Sequence, residues 1–143
     1  MSKFEIHGHC ASCVGLELRS LERPASEDYW DANWITANGF VQVRGFKAAI
    51  DLTVRTSEIE EFLDSILRVN ERAESQAALQ SMEDAIEITL QLLPAGQLLI
   101  AGRLREARRR GCTLEFAFES DLTFLEASIT QLRHCVGEFP VRP

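Results

Sequence analysis

The sequence contains no run approaching the roughly 18 consecutive apolar residues that a membrane-spanning helix needs, so no membrane association is expected. Its first residues, Met1-Ser-Lys-Phe-Glu-Ile-His-Gly, lack the apolar stretch of a secretory signal, and a cytoplasmic location is the expectation. Cysteine is sparse, four in 143 residues, which in a cytosolic chain is no evidence of disulfides. Histidine is scarcer still, at three, and none stands in a recognisable nucleophile arrangement. There is no Gly-x-Ser-x-Gly elbow and no glycine-rich phosphate loop followed by Lys-Ser/Thr. No catalytic residue is assigned, and the chain is not expected to be an enzyme. A basic excess is also missing: 15 Lys+Arg stand against 22 Asp+Glu, a net charge of −7, so phosphates are repelled and direct nucleic-acid binding is not expected.

What is present is the composition of an ordinary globular protein, 45% hydrophobic and 26% charged, at a length that suits one domain over residues 1–143. Strand-like alternation dominates. Phe4, Ile6, Gly8 and Cys10 share one parity, as do Val14, Leu16 and Leu18, and Phe46, Ala48, Ile50, Leu52 and Val54 form the cleanest case. Trp34 to Arg44 should be the hairpin partner of that strand, turning near Gly45. Ile86 to Leu92, Leu98 to Leu104 and Leu114 to Phe118 bring the expected strands to seven, with Pro94-Ala95-Gly96 as a turn. Two segments take a helical period. Ser57 and Glu60 have capping-box spacing ahead of Ile59, Phe62, Leu63, Ile66 and Val69. Asp121 should cap a second helix with the stripe Leu122, Leu125, Ile129, Leu132 and Val136, Gly137 closing it. The polar, alanine-rich Glu71–Ser81 stretch should be a flexible connection. Short turns favour antiparallel pairing. The expected fold is therefore α+β: one twisted, mainly antiparallel sheet of about seven strands, or one folded toward a sandwich, covered by two helices. Its core should span roughly residues 3–137, with 138–143 a short tail.

Charge is unevenly spread. Between Ser57 and Asp84 the acids are Glu58, Glu60, Glu61, Asp64, Glu71, Glu74, Glu83 and Asp84 and the bases only Arg68 and Arg72, an excess of six negative charges. Such a stretch is either a solvated helix face or an acidic docking face for a basic partner. Glu58, Glu60, Glu61, Asp64 and Glu71 are the candidate contact residues. The opposite pole, Arg103, Arg105, Arg108, Arg109 and Arg110, has no interleaved aromatic residue to stack on bases, and reads as a charged hairpin tip that discourages edge-to-edge pairing.

Two further motifs carry information. In His7-Gly8-His9-Cys10-Ala11-Ser12-Cys13, the pair Cys10 and Cys13 could supply two of the four ligands of a structural zinc; the alternatives are inert thiols on a sheet edge or a redox pair. Strand alternation sends His7 and His9 to the face opposite Cys10, and the remaining donors, Cys112, His134 and Cys135, would have to arrive through the fold. No other cofactor is expected. In Tyr29-Trp30-Asp31-Ala32-Asn33-Trp34, Asp31 and Asn33 can bond nearby backbone N–H groups in an Asx-type turn. Trp30, Asp31, Asn33 and Trp34 are thus either a structural corner or an exposed aromatic hot spot.

The strand Val14-Gly-Leu-Glu-Leu-Arg19, then Glu22-Arg-Pro, then Asp28-Tyr-Trp-Asp-Ala-Asn-Trp34, together resemble the WapI-like immunity proteins of bacterial polymorphic-toxin systems. The resemblance continues through Gly45-Phe46-Lys47-Ala48, the helix opening at Ser57-Glu58, the strand opening at Met82-Glu83, Asp121-Leu-Thr-Phe-Leu125 and Gln131-Leu132. It runs from about Val14 to Val136, with Trp-Asp-x-Asn-Trp its specific part. Ile35 stands where that family more often has Leu, and the His/Cys-rich start is not part of its signature. The resemblance implies a non-catalytic protein that binds a cognate toxin domain and blocks it in the producing cell's cytoplasm. It carries over the Trp-Asp-x-Asn-Trp corner as scaffold and no binding residue. The other function class left open by the residues is a small cytosolic interaction domain with a Cys/His zinc site at its N-terminus.

Overall fold

Alternating apolar residues in the first 55 positions build a four-stranded antiparallel meander. The computed structural model describes residues 2–107 and 110–143. In it β1 (Ser2–His7), β2 (Cys13–Leu21), β3 (Trp34–Val43) and β4 (Phe46–Arg55) lie side by side in chain order, with a one-turn helix α1 (Tyr29–Ala32) launching β3. After α2 (Thr56–Asn70) the same pattern recurs. Strands β5 (Gln76–Gln80), β6 (Ile86–Leu92), β7 (Gln97–Arg105) and β8 (Thr113–Asp121) form a second antiparallel sheet, followed by α3 (Leu125–Glu138). The α+β class and the antiparallel pairing stand; the strands number eight among the described residues, against about seven expected, and they divide into two sheets where one open sheet or one folded toward a sandwich was expected.

The additional strand is β5. In Gln76-Ala-Ala-Leu-Gln80, Ala77 and Leu79 are buried while Gln76, Ala78 and Gln80 face out. Its period is two, yet alanine on both faces leaves little contrast between them, which is why the stretch reads as a connection. The helices are exchanged between the sheets: α2 lies along β5, α3 lies along β1, and the two helices touch. One continuous core results, in which Phe4, Leu16, Ile35 and Val54 meet Ile88, Ile100 and Leu104 beneath Phe62, Ile66, Leu125 and Leu132. The rings of Phe4 and Phe62 sit 5.7 Å apart.

An edge strand normally exposes unpaired backbone groups. Along β1, α3 supplies the partners: Gln131 Oε1 accepts from the Glu5 N–H at 2.8 Å, and Ser128 Oγ donates to the Glu5 carbonyl at 2.6 Å. Ser120 Oγ does the same for the His7 carbonyl at 2.6 Å. Gly15 in β2 allows close approach, since a Cβ there would stand 2.1 Å from the Phe4 carbonyl oxygen.

The start of α2 corrects the expected cap. Asn33 accepts the Thr56 N–H at its carbonyl (2.9 Å) and the Thr56 hydroxyl at Oδ1 (2.8 Å), so the helix begins one residue before Ser57. The reaching carboxylate is Glu58, which accepts the Arg55 N–H at 2.7 Å, in place of Glu60. Asp121 caps as expected, taking the Thr123 N–H at 2.9 Å ahead of a 3₁₀ turn that runs into α3. Gly137 lies inside α3, not beyond it. The expected tail is corrected as well: Phe139 is buried and Arg142 is hydrogen-bonded to Asn33. Phe46, expected on a buried face, is 71% exposed because β4 runs past the sheet's covered area at the hairpin tip.

Candidate functional site

The helical phase of α2 decides which acids reach solvent. Ile59, Phe62, Leu63, Ile66 and Val69 are buried as their spacing predicts, and Glu60, Glu61 and Asp64 project outward, with Glu71 exposed just past the C-terminus. Among the described residues none of these four carboxylates has an ion-pair partner. Other acids of the same segment are engaged. Glu74 pairs with Arg68 at 3.0 Å, Glu83 accepts from the Thr53 hydroxyl at 3.0 Å, and Asp84 takes both Arg103 (2.7 Å) and Arg105 (3.2 Å).

Glu58 leaves the candidate set. It is 9% exposed, its two oxygens accept the backbone N–H groups of Arg55 and Met82, and burial raises its pKa against the pull of those two donors. It fastens α2 to the segment entering β6, so it is structural. The arginine pole is likewise redistributed: Arg103 and Arg105 lie within β7, bound to Asp84, and Arg108 and Arg109 lie outside the described residues.

The aromatic corner splits into a buried pin and an exposed surface. Asn33 is 1% exposed; its Nδ2 donates to the carbonyls of Tyr29 (2.8 Å) and Arg142 (3.1 Å), and its Oδ1 accepts from Thr56 and from the Arg142 N–H (2.8 Å). Asp28, not Asp31, makes the Asx-type cap, accepting from the N–H groups of Trp30 and Asp31; Asp31 instead pairs with Arg23 at 3.2 Å. Trp34 is half-buried at the start of β3. Trp30 is 55% exposed, with the Arg55 guanidinium 4.3 Å from its ring centre and Tyr29 edge-on at 5.2 Å. Sequence reasoning passed over Asp28 and Arg55. The signal for Asp28 was its position two residues ahead of Trp30, a cap spacing.

At the N-terminus the Cys-x-x-Cys pair is not what converges. Cys10 is exposed on a 3₁₀ turn with φ of 57°, whereas Cys13 opens β2 directly opposite His7. Residues two apart in a strand share a face, so Glu5 joins them. The ligand atoms of Glu5, His7 and Cys13 all lie within 4.8 Å of one another. The remaining donors do not join this group. His9 faces Asp121 at 3.6 Å and Phe124 edge-on, and His134 faces Glu138 at 3.4 Å. Cys112 is exposed, and burial with the Glu138 charge pushes the Cys135 thiol up to about 11.

Two clefts border the β3–β4 tip. One of about 220 Å³ is lined by Val41, Val43, Phe46, Leu114 and Phe116; the other, of about 540 Å³, includes Cys10, Arg44, Thr89, Gln91 and Glu119.

The sequence profile of the Immunity protein WapI-like family matches residues 5–140. This chain belongs to that family. The matched span takes in Glu5, His7 and Cys13 as well as the acidic face of α2, so both groups of residues lie within the WapI-like domain. No curated protein matches the sequence. Among solved structures, a chain from "Crystal structures of trypanosoma bruciei MRP1/MRP2" is similar over 96% of this chain and 85% of that one, at 15% identity and a TM-score of 0.48. No helix among the described residues of this WapI-like family member is long and apolar enough to cross a membrane.

Proposed function

We propose that this chain is a non-catalytic immunity protein that binds and neutralises a cognate bacterial toxin domain in the cytoplasm, engaging it through the acidic face of α2. Membership of the WapI-like immunity family across residues 5–140 carries the reading. The contact face rests on a second observation: Glu60, Glu61, Asp64 and Glu71 are exposed carboxylates without ion-pair partners among the described residues, the first three on a helix whose other side is packed on β5 and α3 and Glu71 at its C-cap. Free charge on a rigid helix costs little to dock, because the backbone does not have to be ordered on binding. A basic toxin surface would be steered toward it and held in register. A nuclease would be such a partner, with the carboxylates standing where its substrate's phosphates go.

Co-expression with the toxin-like domain encoded beside the gene tests the immunity reading. A co-purifying complex with restored growth supports it; active toxin with no complex and no rescue, the chain being folded, overturns that pairing. The face is tested by the triple variant Glu60→Lys, Glu61→Lys, Asp64→Lys. Association should slow by about tenfold or more at low ionic strength, and the deficit should shrink as salt shortens the screening length to about 8–10 Å. Unchanged protection and unchanged salt dependence would overturn the acidic-face assignment.

A further inference from the structure

We propose that Glu5, His7 and Cys13 form a binding site for one borderline-soft divalent metal ion of the zinc and cobalt class, on the outer face of the first sheet. The backbone sets the site. His7 and Cys13 are direct cross-strand partners in the β1–β2 ladder, and Glu5 precedes His7 by two residues on the same face. Directly opposed residues hold their Cβ atoms about 4.5–5.5 Å apart. Carboxylate, imidazole and thiolate are the three donor types that zinc takes from proteins.

The donor atoms lie within 4.8 Å of one another, and a tetrahedral site with bonds of about 2.0–2.3 Å places its ligands roughly 3.5 Å apart. No separation therefore has to close by more than about 1.3 Å, which torsions about the side chains' own bonds supply. Glu5 is already drawn in: one carboxylate oxygen is 2.9 Å from His7 Nε2 and the other 2.8 Å from Lys3 Nζ. All three donors are half-buried, so each has already shed part of its water.

The strand positions are also firmly held. The Glu5 backbone is tied to Ser128 and Gln131 of α3 and the His7 carbonyl to Ser120, so the ligands project from a fixed frame and not from a loop. A metal ion here would take Cys13 as thiolate, since a coordinating thiol is deprotonated by the metal's own charge. Three protein ligands leave a fourth position for water. Cys10 is not a ligand, and the metal site is independent of the Cys-x-x-Cys spacing and of the toxin-binding reading.

Titration of the reduced full-length chain with cobalt(II) reads the site directly. One equivalent should produce a thiolate-to-cobalt charge-transfer band together with the visible bands of a tetrahedral ion, and zinc should displace them. Cys13→Ser should abolish the charge-transfer band, and Cys10→Ser should leave it intact. His7→Gln should weaken binding about 100-fold or more, given that even residues outside the coordination sphere are worth 10–100-fold. Far-ultraviolet circular dichroism checks each variant's fold; if Cys13→Ser does not fold, Cys10→Ser and His7→Gln decide alone. No charge-transfer band at stoichiometric cobalt, a band lost with Cys10→Ser, or a band unaffected by His7→Gln would each overturn the assignment.

Discussion

Replacing Asn33 with alanine should destabilise the fold by about 2–4 kcal/mol. The side chain makes four hydrogen bonds, to the carbonyls of Tyr29 and Arg142, the Thr56 hydroxyl and the Arg142 N–H, all between 2.8 and 3.1 Å. Each such bond contributes about 0.5–1.5 kcal/mol net, and a buried partner left unsatisfied costs about 1–3 kcal/mol. Thr56 is 1% exposed, so its hydroxyl is the group least able to find water; Arg142, half-exposed, is the most able. The sum of four full bonds is therefore an upper bound, and the lower half of that range is where Arg142 recovers its partners from solvent. With a urea slope of about 2 kcal/mol/M, the unfolding midpoint should fall by about 1–2 M. A double-mutant cycle separates the two ends of the pin. In a chain lacking residues 141–143 the Arg142 bonds are already gone, so Asn33→Ala should cost about 1–2 kcal/mol less there. A midpoint shift equivalent to less than about 0.5 kcal/mol, or a cost identical with and without the last three residues, would refute the reasoning.

Glu58 gives a pH prediction. Its folded pKa is raised above the ordinary carboxylate value, chiefly by burial and also by Glu61, against Arg55 and two backbone donors. The folded state thus binds a proton more readily than the unfolded state, and the contribution of this group to stability is present below the unfolded value and lost as pH rises through the folded one. In urea midpoints measured from pH 4 to pH 7, the wild type minus Glu58→Gln difference should fall as pH rises; a flat or rising difference would contradict the shift. Among the aromatics, Phe62→Ala should cost about 3–5 kcal/mol, because the ring is fully buried against Phe4, whereas Phe46→Ser at the exposed hairpin tip should change stability by no more than about 0.5 kcal/mol. Equal costs at the two positions, read by thermal or urea unfolding, would place Phe46 in the core after all.

Where side-chain contrast was strong, the fold was legible. Val14, Leu16 and Leu18 announce β2, and the stripe from Ile59 to Val69 announces α2, because burial of one face requires a sustained period. The Ala77-Ala78 pair hides β5, since a small residue fits either face of a strand. Which strands fall in which of the two sheets was not legible, although a folded sheet was one of the two expected arrangements. The division follows from α2 leaving the end of β4 and lying along β5, a tertiary choice that no local pattern encodes. The candidate metal group was half legible: the sequence singles out His7 and Cys13, but the Cys-x-x-Cys spacing pairs Cys13 with Cys10, and only the β1–β2 register sets Cys13 beside His7 and Glu5. The turn at His9–Ala11 reverses the chain and brings Cys13 back onto the face of His7.

The acids of the Ser57–Asp84 segment show what a run of like charges conceals. Glu58 and Glu61 are alike in type and differ by three positions, yet one is 9% exposed and bonded to two backbone N–H groups while the other is open to solvent. Asp84 pairs with two arginines of β7; Asp64, of the same type, has no ion-pair partner among the described residues. Composition sums these groups into one excess. The fold divides them into carboxylates that hold the scaffold and carboxylates that only cost repulsion unless something basic arrives. Four of the latter, Glu60, Glu61, Asp64 and Glu71, fall on one helix and its immediate end, where the packed side is already fixed by β5 and α3. Under the proposed function, this charge, which makes no ion pair among the described residues, is what a basic partner would meet. That partner's arrival should also relieve the mutual repulsion along α2.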